Sequence, residues 1–211
     1  VASQLNWKEK KFVIKQETNF PSEETVRLTV DSRKAQTLKI KIRCPWWVKP
    51  GEMKVICKGK DYAVGAQPSS YIEIERRWKK GDVIEVTMPM TITVEELPNL
   101  PNYIAIMRGP ILMGARMGDY RLDGLVANDG RWAHIAHGPL VSLFDTPFLI
   151  GERDEIVEKL QGMQPVSGKP MHFTVPGLFE KKYADLELEP FSQIHDSRYM
   201  MYWLSMSKAE Y

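Results

Sequence analysis

Two stretches of strict alternation constrain this chain most. Val26, Leu28 and Val30 alternate with Arg27 and Thr29, and Leu38, Ile40 and Ile42 alternate with Lys39, Lys41 and Arg43. A period of two puts every apolar side chain on one face of an extended segment. Both stretches therefore predict strands with one buried and one wet face. Tyr71-Ile72-Glu73-Ile74-Glu75 and Val83 to Met88 repeat the pattern on either side of Lys79-Lys80-Gly81-Asp82, which reads as a turn. Ile92 and Val94 carry the alternation past Pro89. Short strands at regular spacing, with turn signals between them, predict a β-sandwich.

The segment Glu95 to Asn102 holds two prolines and two asparagines and reads as a loop. Beyond it, Tyr103 to Met107 and Ile111 to Met113 read as strands bracketing Arg108-Gly109-Pro110. A boundary near Ala115 gives one antiparallel sandwich over 1–115 and a second β-rich, sandwich-like domain over 116–211. The fold class is all-β, in tandem, with one or two short helices at most. The helix is expected near 153–160, where Asp154 and Glu155 suit a helix start and Gly162 a helix stop. His172 to Val175, Ala184 to Leu188 and Arg198 to Leu204 read as strands. The last is apolar on both faces, which predicts a central, covered strand.

Composition narrows the function classes. No apolar run approaches the roughly 18 residues needed to span a bilayer. The first residues, Val1 to Lys8, are neither a Met start nor a signal peptide and read as a cut edge. Residues 1–115 carry 19 Lys/Arg against 13 Asp/Glu, and residues 116–211 carry 10 against 14. Lys39, Lys41 and Arg43 fall on alternate positions, which reads as a solvated face, and no nucleic-acid motif accompanies the charge. Cys44 and Cys57 are expected to be buried free thiols, a disulfide requiring that their strands be adjacent. Two cysteines and four dispersed histidines make no metal site of recognised spacing, so no metal ligand is assigned in this chain. His134 and His137, three residues apart, are the one histidine pair.

Three motifs invite a functional reading. In Arg43-Cys44-Pro45-Trp46-Trp47 the tryptophans could stack on sugar rings, though a strand-end Trp more often caps a core. Trp132 is a further exposed-aromatic candidate. Arg76-Arg77-Trp78-Lys79-Lys80-Gly81-Asp82 could hold an anion, but the duller reading is a solvated turn with Trp78 packed inward. His195-Asp196-Ser197-Arg198-Tyr199 brings acid–base residue types together. Adjacent residues in an extended segment project to opposite sides, which argues against a Ser-His-Asp relay. His195, Asp196, Arg198 and Tyr199 are instead expected to anchor a domain junction or line a binding surface. Glu187 and Glu189 would share one strand face about 7 Å apart, as in any alternating acidic strand. No residue of this chain is assigned a catalytic role.

Several of these segments occur together in one known family. Gln16 to Pro21, Ile42-Arg43-Cys44-Pro45-Trp46-Trp47, the set Tyr71, Arg76, Trp78, Gly81 and Asp82, Ala105-Ile106-Met107-Arg108-Gly109-Pro110, and the run Leu188 to Trp203 follow one another in order. Together they resemble the C-terminal, non-catalytic region of glycoside hydrolase family 127, the β-L-arabinofuranosidase-like enzymes. The resemblance implies an upstream (α/α)6 barrel with a cysteine nucleophile and a zinc held by Cys and Glu. It also implies removal of β-L-arabinofuranose or related sugars from plant glycans. None of those catalytic positions maps onto this chain, and Cys44 stands where the family has an aliphatic strand residue. The partners implied are the barrel of the same polypeptide and an oligosaccharide, with self-association through the barrel-facing surface. A secreted parent would place the chain in the periplasm or outside the cell. Against this accessory role stand a free-standing carbohydrate-binding module and an autonomous enzyme built on His195 and Asp196.

Overall fold

The computed structural model describes residues 1–122 and 140–210. The chain divides into two compact units, Val1–Thr91 and Ile92–Tyr211. The first contains β1 (Ser3–Trp7), β2 (Phe12–Thr18), β3 (Thr25–Val30), β4 (Gln36–Arg43), β5 (Lys54–Cys57), β6 (Lys60–Asp61), β7 (Tyr71–Trp78) and β8 (Val83–Thr87). Six of them form one sheet in the order β1-β2-β3-β8-β5-β6, and β4 pairs with β7 in a second, two-stranded sheet. Every ladder in this unit is antiparallel.

The alternation decides which residues meet between the sheets. Val26 and Val30 from β3, Ile84 and Val86 from β8, and Val55 and Cys57 from β5 face Ile72, Ile74 and Trp78 from β7 in one core. Trp78 is fully buried and donates its ring N–H to the Leu38 carbonyl at 3.0 Å, so the indole loses no hydrogen bond on burial. The turn before β8 carries Gly81 at φ +83°, a conformation glycine adopts without strain. Cys44 and Cys57 are buried and unpaired, and burial pushes the Cys44 thiol pKa up.

Asp82 is the buried anchor of that turn. It accepts from the Lys79 backbone N–H at 3.0 Å and lies 3.0 Å from Lys58 Nζ and 3.6 Å from Arg76. Burial pushes its pKa up, but the hydrogen bonds from Lys79 and Lys58 and the Arg76 charge outweigh it and leave the carboxyl below its ordinary 3.8. A depressed carboxylate contributes stability that is present above its unfolded pKa and is lost as pH falls through the folded one. Asp82→Asn is expected to cost about 2 kcal/mol at neutral pH. The difference between the two proteins should shrink as urea midpoints are measured from pH 5 downward.

The second unit contains β9 (Ile92–Leu97), β10 (Leu100–Arg108), β11 (Ile111–Arg116), β12 (Leu149–Ile150), α1 (Arg153–Gln161), β13 (Gln164–Pro165), β14 (Phe173–Thr174), β15 (Glu187–Pro190), β16 (Tyr199–Met200) and β17 (Trp203–Met206). They build a nine-stranded sheet in the order β12-β17-β10-β11-β15-β14-β13, with β9 added on β10 and β16 on β11. The helix follows its sequence signals. Asp154 and Glu155 lie in its first turn, Ile156 and Leu160 are buried one turn apart, and Gly162 caps it. It packs its apolar stripe into a core with Ile104, Ile106, Met113, Leu188 and Trp203. The chain is thus all-β in two tandem units with one short α-helix, as the alternation predicts.

Three expectations need correction. The boundary falls after Thr91, not near Ala115, because β10 and β11 pair with β17 and β15 of the second unit. The expected loop over 95–102 is a hairpin: Pro98 and Asn99 make its turn, with Asn99 at φ +62°, and a register shift between Leu100 and Ile104 absorbs the mismatch. The expected strand over Arg198–Leu204 is broken by a bend at Met201 and Tyr202. Trp203 is fully buried, but Tyr199 and Tyr202 are exposed.

Candidate functional site

The strongest polar arrangement lies where β11 and β15 run side by side. On β11, Met113 and Ala115 point into the core, which turns Gly114 and Arg116 to the other face. On β15, Leu188 is fully buried, which turns Glu187 and Glu189 away from it. Gly114 pairs with Glu189, and a side chain there would meet the Met200 carbonyl at 2.9 Å and Ile194 Cδ1 at 3.1 Å. Only a bare backbone lets the turn Phe191–Gln193 and the segment after it close over β11.

That closure buries Glu189, which is 4% exposed. Arg116 lies along its carboxylate in fork geometry, with Nε to Oε1 at 2.8 Å and a terminal nitrogen to Oε2 at 3.4 Å. The same guanidinium donates to the Gln193 carbonyl at 2.7 Å and the His195 carbonyl at 2.9 Å. His172 approaches from β14's side, with Nε2 3.4 Å from Glu189 Oε2 and Nδ1 3.0 Å from the Pro170 carbonyl. Glu187 is held by Lys169 at 2.8 Å. Both carboxylates of the strand are therefore committed to cations, and Glu189 is fixed as the keystone of a loop.

The sequence candidates fall around this cluster. His195 contributes its backbone carbonyl to Arg116, and its ring is exposed. Asp196 is exposed at φ +50°, a left-handed conformation that Asp tolerates better than most residues. The single Ser197 O–H lies within reach of the carbonyls of Arg198 at 2.7 Å and Gly118 at 3.0 Å and can donate to one of them at a time, and Arg198 Nε donates to the Tyr120 carbonyl at 2.7 Å. These contacts splice the C-terminal segment onto the end of β11. Tyr199 is 51% exposed and meets Phe191 edge to face at 5.0 Å. Trp46 is 60% exposed, whereas Trp47 is half-buried and stacked on Phe20 at 6.0 Å. Trp132, His134 and His137 lie outside the described residues. Arg116, which organises the whole arrangement, was not singled out from sequence. Its signal is a cation ending an apolar strand, opposite an acidic one.

Among the described residues no three His, Cys, Asp or Glu side chains come together as a metal site. No helix in them is long and apolar enough to cross a membrane.

A second feature lies in the first unit. The inward residues of β7 are buried, but Leu38, Ile40 and Ile42 of β4 are only half-buried. β4 pairs with β7 along one side, and among the described residues no strand pairs with its other side. A cleft of about 510 Å³ opens there, lined by Leu5, Ile14, Leu28, Ile40, Ile42 and Met88 among others.

Comparison with known proteins assigns the chain. Residues 1–90 match the family described as β-L-arabinofuranosidase, GH127 middle domain, and residues 93–205 match a domain of unknown function, DUF4986. No curated protein matches the sequence. Among solved structures, a GH127 β-arabinofuranosidase aligns over 97% of this chain with a TM-score of 0.62 and 19% identity. A GH127 β-L-arabinofuranosidase from Geobacillus stearothermophilus T6 aligns over 97% with a TM-score of 0.59 and 18% identity. A protein described as a glycoside hydrolase aligns over 97% with a TM-score of 0.57 and 21% identity. At these identities the likeness shows the fold. The chain spans 32–34% of the length of those three proteins. The DUF4986 model covers more than half of the chain, which therefore belongs to that family, and residues 1–90 are similar to the GH127 middle domain.

Proposed function

We propose that this chain is the accessory β region of a glycoside hydrolase acting on L-arabinofuranosyl or related plant glycans. In this reading it packs against a catalytic (α/α)6 barrel that lies outside the sequence. The observation that carries the reading is the half-buried inner face of β4 beside an apolar cleft, a surface of the kind a further part of a protein covers. The engagement of Glu187 and Glu189 by cations supports it too, since glycoside hydrolysis asks for two carboxyl groups across the scissile bond. Exposed Trp46 favours a second reading, a carbohydrate-binding module. Trp47 does not join Trp46 in a two-ring platform, because it is stacked on Phe20.

The test is turnover of aryl β-L-arabinofuranosides and aryl glucosides by the chain alone. No rate above buffer is expected. A zinc-independent rate that disappears in His195→Ala would contradict the accessory reading and support an enzyme built on His195 and Asp196.

A further inference from the structure

A second cleft, of about 560 Å³, sits at the other end of β2, between the β1–β2 turn and the loop that follows β3. Its lining includes Lys8, Lys11, Arg33 and Lys34. Several other cations of this unit are paired: Lys15 and Lys80 hold Asp31, Lys39 and Lys41 hold Glu73, and Lys58 holds Asp82. The four lining cations have no carboxylate partner among the described residues. Asp31, the one acid in the lining, is already taken by Lys15 at 2.7 Å and Lys80 at 3.1 Å.

The cleft is also held in shape. Gln36 Nε2 donates to the carbonyls of Lys10 and Lys11 in the β1–β2 turn. Ser32 Oγ accepts from the Val13 N–H at 2.8 Å, and the Asp31 N–H donates to the Val13 carbonyl at 2.9 Å. These bonds tie the β1–β2 turn to the start of β4 and the loop after β3 to β2, so the cations that the two loops carry converge on one concavity. A cleft lined by one sign of charge concentrates the opposite sign within it.

We propose that this cleft binds a carboxylate-bearing sugar segment of an acidic polysaccharide. Lysine and arginine would meet the carboxylates. The aliphatic stems of Lys8, Lys11 and Lys34, with Val13, offer apolar contact to ring C–H groups. The volume lies within the roughly 300–1,000 Å³ of small-molecule sites. The lining carries no aromatic ring, whereas binding of single-stranded nucleic acid relies on rings for stacking. The similarity of residues 1–90 to a β-L-arabinofuranosidase middle domain points the same way, to a glycan. The site is independent of the accessory reading and would persist if that reading failed.

The test is affinity electrophoresis of the 211-residue chain in native gels holding polygalacturonate or neutral arabinan, at low ionic strength. Retardation by polygalacturonate and not by arabinan is expected. Lys8→Glu with Arg33→Glu should weaken it by about tenfold. Lys49→Glu with Lys54→Glu, an equal charge change elsewhere on the unit, should leave it. Lys8→Gln with Arg33→Gln is read in place of the reversal if the latter melts early. Equal loss in both double reversals would overturn the proposal, because net charge alone would then explain binding. Equal mobility of the parent in the two gels would overturn it as well. So would retardation by a single-stranded oligonucleotide as strong as that by polygalacturonate.

Discussion

Replacing Trp203 by alanine should lower the stability of the second unit by about 4 kcal/mol, within the range of buried aromatic deletions. The ring is fully buried, touches Phe179 at a centroid distance of 5.1 Å, and pairs across the sheet with Ile104 on β10. Removing it opens a cavity at the junction of β17, β10 and the helix-bearing core. Its indole nitrogen is buried without a hydrogen-bond partner among the described residues. Trp203→Phe discards that unsatisfied N–H while keeping most of the ring, so its cost should be about 1 kcal/mol. Urea unfolding followed by far-ultraviolet circular dichroism separates the two variants. Equal costs would mean that the indole N–H does find a partner.

The second large effect is expected at Arg116. Arg116→Ala leaves Glu189 buried with only His172 nearby and releases the carbonyls of Gln193 and His195. A buried carboxylate stripped of its cation costs about 3–5 kcal/mol. Arg116 is itself 44% exposed, so water can reach the vacated site and the lower end of that range applies. Arg116→Met combined with Glu189→Leu removes both charges and should recover much of the loss. The readout is the urea midpoint together with amide hydrogen exchange over residues 191–200, which should quicken in Arg116→Ala. Unchanged exchange there would show that the C-terminal segment is held by packing and not by the guanidinium.

Much of this architecture was legible in the sequence where pattern and packing agree. The strands β3, β7 and β8 bury alternate residues in the first unit and β4 half-buries them, so a period of two was sufficient to find all four. The helix was legible because its acidic start, its Ile156–Leu160 stripe and Gly162 are local signals. Elsewhere local signals misled. Pro98 and Asn99 look like loop residues and are, but the loop is only a hairpin turn, and the strands continue into it. The polar cluster was illegible for a different reason. Arg116 meets Glu189 across 73 residues and His195 across 79, and a contact at that range leaves no periodicity to read. The His195–Asp196 adjacency drew attention because the two are neighbours in sequence. In the fold it is the backbone of His195 that is engaged, not its ring.

The division after Thr91 carries the same lesson. From sequence, Tyr103–Met113 looks like a continuation of the first sandwich, since it reads as one more pair of apolar strands bracketing a turn at Arg108-Gly109-Pro110. Pairing decides otherwise, because β10 and β11 share hydrogen bonds with β17 and β15 near the C-terminus. Strand partners, not strand content, set the unit to which a hairpin belongs.

The most direct test of the accessory role is whether the apolar cleft beside β4 is bare in this chain and covered in the longer protein. The measurement is fluorescence of an apolar-surface dye, with light scattering, on the 211-residue chain and on a polypeptide three times its length, as its relatives have. Strong dye binding and concentration-dependent association are expected for the chain alone, and neither for the longer polypeptide. A chain that stays monomeric at high concentration and leaves the dye dark would contradict it.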